Sequence, residues 1–284
     1  MLTPRLVSDA VAMALNEDAP WGDLSAELTI AAEANFEADL VAREPGVFAG
    51  GDLVKAAFAQ VDTRIDVTDL VADGAAFAQG EVLARITGPA RGILTAERVA
   101  LNFAQRMSGI ATLTARYVQA VAHTRVTIAD TRKTTPGLRA LEKHAVRAGG
   151  GNNHRFGLSD AVMVKDNHLA ALGATEGSKL TEALVDLRRR AGHTVSVIVE
   201  VDRLSQVEPV LDAGVTGVLL DNFGLDDLRT AVELIGDRAV SEASGGVSLD
   251  TVAAIAETGV EVISVGKLTH GAAALDLGLD ARQP

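Results

Sequence analysis

The second half of the chain repeats one pattern, and few folds can satisfy it. Apolar, β-branched-rich runs recur at VTIAD (126–130), AVMVK (161–165), VSVIVEV (195–201), GVLLD (217–221), AVSEA (239–243) and VISVG (262–266). Helical patterns fill the gaps at 180–191, 203–213, 225–235 and 249–258. The last four runs begin near 195, 217, 239 and 261, each about one βα unit after the one before. A strand that is apolar on both faces must be covered on both faces. Alternating βα units of this kind therefore predict a parallel sheet clothed in helices. Six such runs suggest a closed or nearly closed barrel.

The first 90 residues read differently. Residues 4–16 have helical period, and EDAPWGDLS (17–25) breaks it as a loop in which Trp21 is expected to anchor a domain contact. Strands are expected at 35–43, 64–70 and 81–87, with a turn, a Gly pair and a helix across 46–60. Asp73-Gly74 reads as a turn. This predicts a small α+β unit with a mostly antiparallel sheet. Residues 91–123 read as two helical segments split at Ser108-Gly109, with Arg98 and Arg106 on the first and Arg106 as a surface arginine.

Polar residues close each apolar run of the second half: Asp130-Thr131-Arg132-Lys133, then Lys165, Glu200, Asp221, Ser244-Gly245-Gly246 and Gly266-Lys267. In a βα barrel all strand ends open on one face, and active sites are built there. These residues should therefore converge on one pocket carrying both signs of charge. Arg132, Arg155, Lys165 and His154 are donors suited to carboxylates. Ser244-Gly245-Gly246, leading into a helix expected near Leu249, suits a phosphate, and an ordinary βα turn is the plain alternative. Glu200 and Asp221 offer hard oxygens to Mg2+ or acceptors to ribose hydroxyls.

The charge distribution agrees. Between Asp130 and His168 seven Lys and Arg face four Asp and Glu, a local charge of +3 in a chain of −12. A cationic island in an acidic protein suggests a small, highly charged anion. Arg139, Lys143 and Arg147 recur at helical spacing and read as a solvated helix face. A pI near 4.9 and 3% aromatic residues argue against nucleic acid as partner. The chain has no cysteine, which excludes thiol catalysis and Cys-type zinc sites, and no HExxH pattern. No apolar run approaches the ~18 residues of a membrane span, and the N-terminus does not read as a signal peptide, so a cytoplasmic location is expected.

DTRKT (130–134), GGGNNHR (149–155) and KDNH (165–168), in this order, resemble the quinolinate phosphoribosyltransferase family. The resemblance continues through EDAPWGDLS, LTAERVALNFAQRMSGIAT (94–112), VEVD (199–202), LLDNF (219–223), ASGGVS (243–248) and SVGKLTH (264–270). It implies a C-terminal barrel of seven strands, one short of the usual eight, behind an N-terminal α+β domain. The expected division is 1–105, 106–270 and a C-terminal segment 271–284 packing back on the first domain.

The resemblance also implies an activity: a pentosyltransferase joining quinolinate to phosphoribosyl pyrophosphate with loss of CO2, in de novo NAD synthesis, with Mg2+. Arg132, Arg155 and Lys165 would grip the carboxylates, with His154 lining that pocket, Lys133 facing pyrophosphate, and Thr131 among the substrate-binding residues. Glu200 and Asp221 would hold ribose hydroxyls and metal, directly or through substrate or water. Ser244, Gly245, Gly246, Val265, Gly266 and Lys267 would take the 5′-phosphate. Arg98 would enter the site of a second copy in a homodimer, and a hexamer of such dimers stays open. Lys267 departs from the small or apolar residue the resemblance leads one to expect. Two rivals remain: a sibling enzyme using another ring acid, against which Lys165 in KDNH speaks, and a non-catalytic phosphate-ligand sensor on the same barrel, which would not need both Glu200 and Asp221.

Overall fold

In the computed structural model, which describes residues 2–282, the chain divides into two compact units. Met1, Gln283 and Pro284 lie outside the described residues. The first unit gathers the chain up to Ala115, residues 134–150, and the chain from Lys267 onward; the second holds 116–133 and 151–266.

The first unit opens with α1 (Pro4–Asp18), started by the Thr3 hydroxyl, which accepts the Leu6 N–H at 3.3 Å, and by proline at the first turn. α2 (Leu24–Thr29) follows, capped by Asp23 through the Ala26 N–H. β1 (Asn35–Ala42), β2 (Gly46–Val47), α3 (Gly51–Val61), β3 (Asp66–Thr68), β4 (Ala76–Phe77) and β5 (Val82–Pro89) lead to α4 (Ala90–Ala120). β1 buries alternate residues, Ala38, Leu40 and Ala42, as a half-covered strand must. Trp21 is no anchor among the described residues: it is 94% exposed, near the exposed Leu24 and Leu28 in sequence.

α4 runs unbroken where two helices were expected. Ser108-Gly109 is a packing site, not a break. The Ser108 hydroxyl accepts the Ala49 N–H at 3.1 Å, and a Cβ on Gly109 would sit 2.0 Å from the Ala273 carbonyl oxygen. Small residues here admit neighbouring backbone. Arg106 is no surface arginine either. It bonds Glu142, which is fully buried, at 2.8 Å, and the carbonyls of Ala272 (2.6 Å) and Thr269.

The chain continues through β6 (Thr127–Ala129), α5 (Arg139–Ala148), β7 (Val162–Val164), α6 (Asp166–Leu172), α7 (Gly177–Arg190) and β8 (Val197–Val201). A short 3-10 turn enters α8 (Val207–Asp212), followed by β9 (Gly217–Asp221), α9 (Leu225–Ile235), β10 (Val240–Ser244) and α10 (Val252–Ala256). The chain ends with β11 (Val262–Ser264), α11 (Lys267–His270) and β12 (Leu277–Ala281). β12 joins the edge of β1, giving an antiparallel sheet ordered β12-β1-β5-β3. On α5 the solvated face fails at Lys143, which is 4% exposed.

In the second unit six strands form one parallel sheet, ordered β6-β11-β10-β9-β8-β7. On one face Val199, Val218 and Leu220 are fully buried, as are Leu180, Leu184 and Ala231 on α7 and α9, and on the other face Leu219 and Glu242 are buried. The strands are thus covered on both faces, the condition the apolar runs impose. The expected seventh strand shrinks to one bridge, Ala129 to Asn152. Gly149-Gly150-Gly151 precedes it, and glycine offers no side chain to pack a longer strand. No helix among the described residues is long and apolar enough to cross a membrane.

The Asp73 turn does more than reverse the chain. Its Oδ1 accepts the Gly50 and Gly51 N–H groups, each at 3.0 Å, where α3 starts on a left-handed glycine without a side chain to cap it. Its Oδ2 lies 2.6 Å from His144 Nε2. Burial pushes this carboxyl up, but the bonds from His144, Gly51 and Gly50 outweigh it and hold it below its ordinary value. A carboxyl lowered by folding stabilises fully above its unfolded value, and that stability is lost as pH falls through the folded one. Asp73→Asn should therefore have a lower Tm than wild type at pH 7. The gap should close below roughly pH 4. Parallel melting curves across that range would refute this account.

Candidate active site

The site follows from register. Side chains alternate along a strand, so residues paired across a parallel sheet share a face. The pairing aligns Met163 with Ile198, Glu200 with Leu219, Leu219 with Glu242 and Asp221 with Ser244. One face therefore carries Met163, Ile198, Glu200, Leu219, Asp221, Glu242 and Ser244, and Lys165, two residues after Met163, follows the same alternation. The chemistry-bearing residues lie toward the C-terminal ends of their strands.

Lys165 and Glu200 are in direct contact, ammonium to carboxylate. Glu200 and Asp221 line one cleft of about 320 Å3 with Asp166, Asp202, Asn222 and Gln206. Asn222 donates to the Asp221 carboxylate at 2.8 Å and holds a left-handed backbone, φ 58°. Its N–H reaches the Ser244 carbonyl, tying the end of β9 to that of β10. Gly245 must be glycine: its φ is +90° and a Cβ would lie 2.1 Å from Asn222 Oδ1. Gly246 follows at φ +61°. The expected helix at Leu249 begins only at Val252, after a turn in which the Thr251 hydroxyl accepts the Ser248 N–H. Any phosphate cradle here is therefore the Ser244–Gly246 backbone, not a helix terminus.

The cationic side is assembled by an acid to which the sequence assigns no role of its own. Asp130 is fully buried at the end of β6. It accepts the His154 N–H at 2.9 Å and the Asn153 amide at 2.6 Å, pinning the loop that carries His154 and Arg155. Arg155 bonds the Ala161 carbonyl at 3.1 Å. Burial lowers its pKa first, and the like charge of Arg132 lowers it further. Arg132 and Lys133 are exposed, and Thr131 accepts the Lys133 N–H at 3.0 Å. Glu242 is a second acid that sequence reasoning misses. A charge inside a buried apolar strand is the available signal, because such groups need a partner.

The remaining expected residues divide. Val265 is buried and its N–H is committed to the Ala129 carbonyl, so it has no donor to offer an anion. Gly266 closes the second unit, half-buried. Arg98 and Lys267 are exposed and belong to the first unit. Thr131, Arg132, Lys133, His154, Arg155, Lys165, Glu200, Asp221 and Ser244–Gly246 all belong to the second.

Comparison with known proteins agrees along the whole chain. The model of the quinolinate phosphoribosyl transferase C-terminal domain matches residues 110–280, and that of the N-terminal domain matches 23–108. A probable carboxylating nicotinate-nucleotide pyrophosphorylase of Bacillus subtilis is 43% identical over 93% of this chain and 89% of its own. The carboxylating enzyme of Mycobacterium leprae is 43% identical over 96% of each chain. The solved nicotinate-nucleotide pyrophosphorylase of Francisella tularensis superposes with a TM-score of 0.92 at 35% identity, covering 99% of this chain and 98% of that one. With both domains matched in order and the strand-end residues aligned on one face, the chain belongs to the quinolinate phosphoribosyltransferase family.

Proposed function

We propose that the chain transfers phosphoribose from phosphoribosyl pyrophosphate to quinolinate with decarboxylation, giving nicotinate mononucleotide, pyrophosphate and CO2. The observation that carries this reading is the single sheet face on which Lys165, Glu200, Asp221 and Ser244 line up. Arg132, Arg155 and Lys165 take the two carboxylates, and Lys133 faces the pyrophosphate. Because Lys165 touches Glu200, the pyridine acid and the ribose meet at that pair.

The acids fit Mg2+ of a particular kind. Among the described residues no three His, Asp or Glu side chains close on one point, yet Glu200 and Asp221 share a cleft. Mg2+ accepts one or two carboxylates when phosphates and water fill its other positions. Glu200 and Asp221 would hold it so, and it would supply charge neutralisation for the phosphates.

The protein needs little covalent chemistry. The C1′–O bond breaks and its electron pair leaves with pyrophosphate, neutralised by Lys133. The pyridine nitrogen, held in line by the carboxylate grips, donates its pair to C1′. Positioning and electrostatic stabilisation carry such a step. In the resulting pyridinium the bond from C2 to its carboxylate breaks. Its electron pair stays on C2, CO2 departs, and a solvent proton completes the ring. Wild-type protein releasing CO2 and pyrophosphate in equal amounts from the two substrates with Mg2+ is the expected result; no release sinks the reading.

Arg98 completes the site of a second copy in a symmetric dimer. Its exposure on α4, in the unit that holds none of the residues aligned on that sheet face, supports this. Arg98→Ala and Lys133→Ala, each nearly inactive, should complement on being unfolded and refolded together. About half of the dimers are then mixed, and one site in each is intact, so about a quarter of wild-type activity should return. A mixture as inactive as its parents, while wild type survives the treatment, refutes action across the dimer.

A further inference from the structure

We infer that Glu242 is a positioning residue for quinolinate binding: it fixes the proton of His154 and, through that ring, the backbone of Arg155. Glu242 lies mid-way along β10, 5% exposed, on the face that carries Glu200 and one layer below Ser244 and Asp221. A carboxylate so buried requires a compensating donor. Its Oε2 lies 3.3 Å from His154 Nε2, while its Oε1 is buried with no hydrogen-bond partner among the described residues. Much of the compensation therefore falls on the imidazole.

The ring's other nitrogen decides the direction. His154 Nδ1 accepts the Arg155 N–H at 2.7 Å, so it carries no proton. The ring proton therefore sits on Nε2, 3.3 Å from Glu242 Oε2. Asp130 holds the preceding peptide by accepting the His154 N–H at 2.9 Å. The result is a chain of contacts from β10 through the imidazole to the main chain of Arg155. Both ring nitrogens of His154 are engaged in it. The imidazole thus serves the pocket by locking its neighbour and not by donating a proton to the substrate. Nothing in the sequence pattern assigns Glu242 this role.

The inference rests on the reading above that Arg155 grips a quinolinate carboxylate. Loosening the guanidinium's anchor should raise the KM for quinolinate while leaving that for phosphoribosyl pyrophosphate near wild type. Misplacement by about 1 Å can cost on the order of a hundredfold, so a rise of about tenfold or more is expected for Glu242→Ala. Glu242→Gln, which can still present an oxygen to Nε2–H, should recover most of it. In protein labelled with 15N at its histidines, wild type should show the Nε2–H form of His154, and Glu242→Ala should lose it. The double variant His154→Ala with Glu242→Ala should show the quinolinate KM of His154→Ala alone, since Glu242 acts through that ring.

Equal rises in both KM values, no difference between Gln and Ala, an unchanged tautomer, or additive losses in the double variant would each overturn the inference. Calorimetry on wild type separates the two readings. If wild type binds no quinolinate, the functional reading fails. If it binds normally and Glu242→Ala binds equally well, only the role of Glu242 fails.

Discussion

Nicotinate should be turned over at least ~10⁴-fold less efficiently than quinolinate, compared as kcat/KM. The reason is the density of positive charge where the acid is proposed to bind. Arg155 is partly buried, and its charged form is already disfavoured by burial and then by the field of Arg132. Lys165 adds a third cation, half-exposed at the Glu200 contact. A dianion with adjacent carboxylates relieves this repulsion. A mono-acid relieves part of it and leaves the partly buried Arg155 short of a counter-charge. Sites built for a polar group reject analogues lacking it far more strongly than apolar pockets reject a missing methyl. Pyrophosphate release measured with both acids decides the matter, and comparable efficiencies would remove the proposed carboxylate roles.

Glu142→Ala should destabilise the protein by ~3–5 kcal/mol, the cost of leaving a buried charge without its partner. Glu142 is fully buried and gathers the Arg106 guanidinium, the Thr135 N–H at 3.0 Å and the Thr135 hydroxyl at 2.8 Å. Removing it leaves Arg106 with the Ala272 and Thr269 carbonyls but without the Glu142 carboxylate, and frees the segment that follows Lys133. A drop in Tm on the order of 10 °C corresponds to that loss in a chain of this size. The fair control is Glu208→Gln. That carboxylate also bonds an arginine, Arg238 at 2.8 Å, but in open solvent, where ion pairs contribute little. Its Tm should stay near wild type. Should the two variants melt together, burial is not what makes the Arg106–Glu142 pair matter.

Features that depend on neighbours in sequence are legible in the chain itself. The apolar runs mark β6 to β11, and α9 begins and ends where the pattern places it. The residues closing those runs, Lys165, Glu200, Asp221 and Ser244, do share a face, because strand alternation and parallel register leave no other arrangement. The short α2 escapes the pattern because its stability comes from one Asp23 cap and not from periodicity. Ser108-Gly109 misleads because small residues look the same whether they break a helix or admit a passing backbone; only the Ala273 carbonyl distinguishes the two.

The sequence by itself determined the barrel-like order of strands and helices, the family, and the set of strand-end residues that can do chemistry. Hydrophobic periodicity and motif spacing are local properties, written along the chain. Tertiary structure alone decided which charges are buried and what they bind. Arg106 and Glu142 are 36 positions apart, and Glu242 finds His154 from a distant loop. A charged side chain in isolation belongs in water. Inside a protein its place is set by the partner that replaces that water, and only the folded chain brings the partner into reach.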